Sequence, residues 1–125
     1  MTDINETLQT AARAVLSRKA EDPLLLDLRE VSSFTQAFLL CHGNSTRQVQ
    51  AMANAVEKAL AEEHGKKARI EGYAEGEWVL MDFGEFVVHL FTAQKREFFG
   101  LERLWGDAPR IEIEDEGPGR ADSHA

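Results

Sequence analysis

The sequence predicts a single α/β domain of the α+β kind: a mixed five-stranded sheet packed with helices, in the order α-β-β-α-β-β-β-α. Three observations predict it. Two long stretches, 4–16 and 46–64, repeat apolar residues at helical spacing. Leu24 to Leu28 and Gln36 to His42, which lie between them, are short and nearly solid apolar, as buried strands are. Three further strand-like segments then crowd into 68–91. A helix between the second and third strands implies a crossover, while the last three strands can form a meander.

Each element has a local cause. The first helix can open on a capping box of Asp3 and Glu6, and its stripe is Ile4, Leu8, Ala11, Ala12, Val15 and Leu16. Glu21-Asp22-Pro23 ends that run, because proline cannot continue a helix. Ser32-Ser33 lies in the link between the first two strands, and Gly43 stops the second. Ser45 is the natural N-cap of the second helix, with Gln48 at the capping-box position. Val49, Met52, Ala53, Val56 and Leu60 form its buried stripe, and Gly65 ends it at His64. Ala68 to Tyr73, Glu77 to Asp82 and Glu85 to Phe91 are the next strands, and a third helix is expected from Lys95 to Leu104. The domain is drawn as 1–109. Residues 110–125 hold two basic and five acidic residues with Gly117-Pro118-Gly119, and are expected to be a solvated tail.

The composition excludes several function classes. The chain has 125 residues, too few for two cores, and carries a net charge of −8. So acidic a surface repels phosphate, so a dominant direct nucleic-acid contact is not expected and a basic protein partner is favoured. The single Cys41 allows no internal disulfide and no cysteine-cluster zinc site, which fits a reducing, cytoplasmic location. No apolar run is long enough to span a bilayer, so no membrane role is expected. The N-terminus, with Asp3 and Glu6, is neither a secretory signal nor an organelle presequence.

The last two strands give a face assignment. With Phe83-Gly84 as a two-residue turn, Asp82 pairs with Glu85, Leu80 with Val87 and Trp78 with His89. Val79, Met81, Phe86 and Val88 then face a helix-covered core, and Trp78, Leu80, Val87, His89 and Phe91 face the other way. Both faces are apolar, so either helices cover both or one is kept for a partner.

Gly43-Asn44-Ser45, at a strand end leading into a helix, could cradle a phosphate as nucleotidyltransferases do, or could simply cap the helix. That chemistry also needs paired carboxylates for two metal ions, at i and i+2 on a strand. Asp27 is followed at that spacing by Arg29 and Asp82 by Gly84; Glu75 and Glu77 fall in a turn, and no Asp-x-Asp pair occurs. No catalytic residue, cofactor or metal site is therefore expected. His42, His64, His89 and His124 make no ligand set, since Cys41 and His42 point to opposite faces of a strand. Phe98-Phe99, Leu101 and Leu104-Trp105 spread over more than one face of a short helix, so Trp105 reads equally as core or interface.

Leu26-Asp27-Leu28, Gly43-Asn44-Ser45-Thr46-Arg47-Gln48-Val49, Glu71-Gly72, Trp78-Val79-Leu80-Met81-Asp82-Phe83-Gly84, Val87-Val88-His89-Leu90-Phe91 and Arg96 ahead of Leu101-Glu102-Arg103-Leu104-Trp105 form an ordered set. With these, the chain resembles a ribosome-silencing factor of the Iojap-like family from about Leu8 to Asp107. The resemblance implies a nucleotidyltransferase-like core without activity. It also implies a translational repressor that binds ribosomal protein fourteen of the large ribosomal subunit and sterically blocks small-subunit joining when nutrients are short. Face arithmetic and resemblance together place the partner-binding patch on Trp78, Asp82, Val87, His89, Phe91, Arg96, Phe99, Glu102 and Trp105. A homodimer of the free protein on the same face is compatible with the pattern. The alternative is a nucleotidyltransferase-like nucleotide-binding enzyme using the Gly43 to Thr46 turn.

Overall fold

The structure, a computed structural model, describes residues 4–114. Asp3 of the expected capping box and the acidic segment from residue 115 lie outside the described residues. The elements are α1 (Ile4–Leu16), β1 (Glu21–Asp27), β2 (Ala37–Gly43), α2 (Thr46–His64), β3 (Arg69–Glu71), β4 (Trp78–Asp82), β5 (Phe86–Thr92), α3 (Ala93–Phe99), α4 (Leu101–Leu104) and β6 (Arg110–Ile111).

They build one mixed sheet in the order β3-β4-β5-β2-β1-β6, with β2 and β5 parallel and every other pair antiparallel. The class is the expected one, with six strands instead of five. The sixth is only two residues long and pairs with Leu25 and Leu26 of β1, too short for periodicity to reveal it. Just beyond it Gln9 of α1 holds the chain: Nε2 donates to the Glu112 carbonyl at 2.9 Å, and Oε1 accepts from Glu114 N at 2.7 Å. The acidic segment is thus anchored to the body through residue 114.

β1 also starts earlier than expected, at Glu21. Its pairing with β2 skips from Glu21 to Leu24, and Pro23 sits in that irregularity, where a missing N–H breaks no ladder bond. Ser45 caps α2 as expected, accepting from Gln48 N at 3.0 Å. The single third helix is corrected to two short ones. Gly100 adopts φ +56, a left-handed conformation that stops α3 and turns the chain into α4.

The β4–β5 register differs from expectation too. Asp82 pairs with Val87, Leu80 with His89 and Trp78 with Phe91, because the tight turn, with Gly84 at φ +92, sits one residue later. Sliding a two-residue turn by one position moves every pair by two, which leaves the face of each side chain unchanged. Val79, Met81, Phe86 and Val88 are accordingly buried in the main core, with Leu8, Ala11 and Val15 of α1 and Val49, Met52, Val56 and Leu60 of α2. The opposite face carries a smaller core. There Leu26, Leu28, Leu40 and Phe91 are covered by Leu101, Trp105 and Ala108. α3 and α4 are too short to cover all of that face.

Candidate docking surface

The uncovered part of the second face lies where β4, β5 and β2 run side by side. Alternation sends Leu80 and Asp82 from β4, Val87 and His89 from β5, and Phe38 from β2 to this side. They line an open groove of about 600 Å³ with Phe34, from the β1–β2 connection, and Trp105, from the end of α4. Phe34 is 92% exposed. Contiguous apolar surface left open in this way is a mark of interaction sites.

His89 forms the groove's buried side. Its ring is 5% exposed, and Trp78 Nε1 donates to its Nδ1 at 3.2 Å. Phe38 packs edge-on against it at 4.5 Å between centroids, and Trp105 packs edge-on against Phe38 at 5.8 Å. Burial holds the His89 pKa down at about 4, so the ring is neutral near pH 7. Asp82 sits at the rim, with Oδ1 accepting from Gly84 N at 2.8 Å. Trp78 lies beside the groove, stacked on Phe91 at 5.4 Å and tilted against Phe99 at 4.5 Å.

Of the nine residues expected to meet a partner, Asp82, Val87, His89 and Trp105 come together on the groove, and Trp78 and Phe99 extend its wall. Phe91 and Arg96 are largely buried instead, 1% and 9% exposed, and neither lines the groove. Arg96 instead ties the second face together. It donates from Nε to Glu102 Oε2 at 3.1 Å and from an NH group to the Asp22 carbonyl at 2.7 Å, and it contacts His42 Nδ1 at 3.1 Å. Glu102 therefore serves Arg96 first. The groove itself thus lacks Phe91 and Arg96 and includes Phe34, Phe38 and Leu80, which the sequence-based patch left out. Leu80 was on the correct face by alternation. Phe38 joins only through the parallel pairing of Phe38 with Val87, and Phe34 lies in a connection with no periodic signal.

The Gly43-Asn44-Ser45 turn is occupied by its own side chains. Asn44 N donates to Gln48 Oε1 at 2.7 Å, Gln48 N to Ser45 Oγ, and Asn44 Nδ2 to Glu21 Oε2 at 2.8 Å. Two of the N–H groups at this turn, those of Asn44 and Gln48, are thus engaged by side chains of the turn itself, and the Glu21 carboxylate stands beside it. Asp27 and Asp82 fall on opposite faces of the sheet, since Asp27 is in register with Ala37 and Phe86 and Asp82 with Val87. They cannot clamp a metal pair. The Arg29 guanidinium and backbone N–H hold the Asp27 carboxyl below its usual range. Among the described residues no cluster of three His, Cys, Asp or Glu could hold a metal ion, and no helix is long and apolar enough to cross a membrane.

A family model described as "Ribosomal silencing factor during starvation" matches residues 1–125. The chain is 45% identical over 109 residues to the ribosomal silencing factor RsfS of Halalkalibacterium halodurans, covering 87% of this chain and 93% of that protein. It is similar to an X-ray crystal structure from Chromobacterium violaceum, with a TM-score of 0.82, 32% identity, and coverage of 96% and 99% of the two chains. A more distant relative is the mouse "Mitochondrial assembly of ribosomal large subunit protein 1", 32% identical over 89 residues, 69% of this chain and 39% of that protein.

Proposed function

The chain belongs to the ribosomal silencing factor family, and from that membership we propose that it docks on the large ribosomal subunit as a translational repressor. It binds ribosomal protein fourteen and sterically blocks the small subunit from joining, so translation falls when nutrients are limiting. It does so in the cytoplasm, without catalysis. The mouse relative's name, which refers to the large subunit of another ribosome, supports the choice of subunit.

The observation that carries this reading is the open groove between Phe38, Leu80, Val87 and Trp105 with Asp82 at its rim. Aromatic side chains at the centre of a contact, with charge at the edge, are the usual anatomy of a specific interface. A patch of about 800 Å² per partner suffices for stable docking. An acidic chain of net charge −8 is steered toward a basic ribosomal protein and away from bare rRNA. The unit that docks is the single domain, whose expected end at residue 109 is extended by β6 and the Gln9 contacts to residue 114. A homodimer of the free protein would use the same face and be exchanged for the ribosome.

Co-sedimentation with purified subunits tests the proposal. The protein is expected to travel with the large subunit, to ignore the small one, and to reduce the yield of joined particles in proportion to its occupancy. Binding to the small subunit alone, or undiminished joining at saturating protein, would remove the proposal.

A further inference from the structure

His89 Nε2 and Glu102 Oε1 are the buried side-chain polar atoms without a hydrogen-bond partner among the described residues. Glu102 already places its other oxygen on Arg96, whereas His89 borders an open groove. Because Trp78 Nε1 donates to His89 Nδ1, the neutral ring must carry its proton on Nε2. Burial keeps it in that neutral form, with its pKa down at about 4. A single N–H donor thus stands at the groove with nothing to accept from it. Leaving such a donor unsatisfied is a cost that an apolar residue of similar volume would avoid.

Phe38, Leu80, Val87 and Trp105 offer no acceptor, and Asp82 stands at the rim. The Ser32 and Thr35 hydroxyls also line the groove, but Ser32 Oγ accepts from Phe34 N and Thr35 Oγ1 donates to the Glu85 carbonyl, and neither bonds to His89. An incoming carboxylate would meet an acidic chain, while a main-chain carbonyl is neutral and can enter an apolar site. We infer that His89 is a specificity-determining residue of the docking surface: its Nε2–H receives a main-chain carbonyl from a basic protein segment that seats apolar side chains on Phe38, Leu80 and Val87 and directs a Lys or Arg to Asp82. The inference rests on the docking reading above and names the feature that selects the partner. The donor is already buried in the free protein, so a segment that supplies an acceptor relieves an existing cost. One without an acceptor gains nothing there, which favours the matching partner. Entry requires the half-buried Phe38 ring, edge-on to His89, to turn aside into the groove.

The test compares position 89 on a Trp78→Phe background, where no indole N–H is orphaned and the ring contacts with Phe91 and Phe99 are retained. His89→Gln keeps an N–H donor near the Nε2 position, and His89→Leu, of comparable size, has none. Purified large ribosomal subunits are titrated with wild type and both double variants, and Tm is measured on the same samples. The Leu variant is expected to bind at least about tenfold more weakly than the Gln variant, while melting at the same temperature or higher. Equal binding by the two overturns the inference and leaves the docking reading standing. Weak binding by the Leu variant together with a lower Tm also overturns it, since position 89 would then act through the fold. Failure of wild type to bind large subunits overturns the docking reading and this inference with it.

Discussion

Trp78 Nε1 donates to His89 Nδ1 at 3.2 Å across the β4–β5 ladder, and that one bond decides which ring nitrogen of a buried histidine carries the proton. The two residues are diagonal neighbours, since Trp78 is in register with Phe91 and His89 with Leu80. The indole is satisfied, the imidazole is held neutral, and its second nitrogen is left toward the groove side of the sheet.

Acid should destabilise the protein through His89. Its folded pKa, about 4, lies below the unfolded value of 6.5, so the unfolded chain binds the proton more readily. Stability is therefore full above pH 6.5 and declines as pH falls from there toward 4, by about 3 kcal/mol in all. Denaturant unfolding of wild type and His89→Gln between pH 7 and 4 measures this. The variant is expected to show a flatter profile, and parallel profiles would exclude His89 as the cause.

Val87→Lys places a cation on the groove floor, between Asp82 and Phe38 in register. Val87 is half-buried, so stability should change by no more than about 1 kcal/mol. Repulsion of a basic partner and the charge set against an apolar contact should weaken binding to large subunits more than about tenfold. Sedimentation of the variant with large subunits checks the outcome; binding at the wild-type level would place the contact elsewhere.

Arg96→Met should be the opposite kind of variant, harming the fold before the contact. It strips donors from the Glu21 and Asp22 carbonyls and from Glu102 in a site where the arginine is 9% exposed. A loss of about 3 kcal/mol is expected, read as a Tm lower by roughly 10 °C. Arg96→Lys should recover only part of it, because an ammonium cannot reproduce the guanidinium fork.

Cys41 should be silent to thiol reagents while the protein is folded. It is fully buried on β2, and burial pushes its thiol up to about 12, so almost no thiolate exists at neutral pH. Its labelling rate under native conditions should follow the unfolded fraction, rising with denaturant across the unfolding transition. Rapid native labelling would show that the main core opens locally.

Much of this architecture is legible in the sequence because it rests on periodicity. The stripe of α2 and its Ser45 cap need only local spacing, and the division of β4 and β5 into two faces is fixed by alternation. That division survived a misplaced turn, since moving a two-residue turn by one position leaves parity intact. Gly100 was visible as a residue, but not as the left-handed break that separates α3 from α4, because a glycine inside a helical pattern can be tolerated or can end it.

Element type and the side on which each strand residue lies could thus be read along the chain, because both follow from the periods of helix and strand. Tertiary structure alone decided which faces are covered. The parallel pairing of β2 with β5 brings Phe38 over His89, and the short β6 strand and Gln9 fix the chain after the last helix. Arg96 became interior for the same reason, its partners being Asp22 and His42, more than fifty positions away along the chain. Such contacts depend on which segments meet in space, and local periodicity contains no term for that.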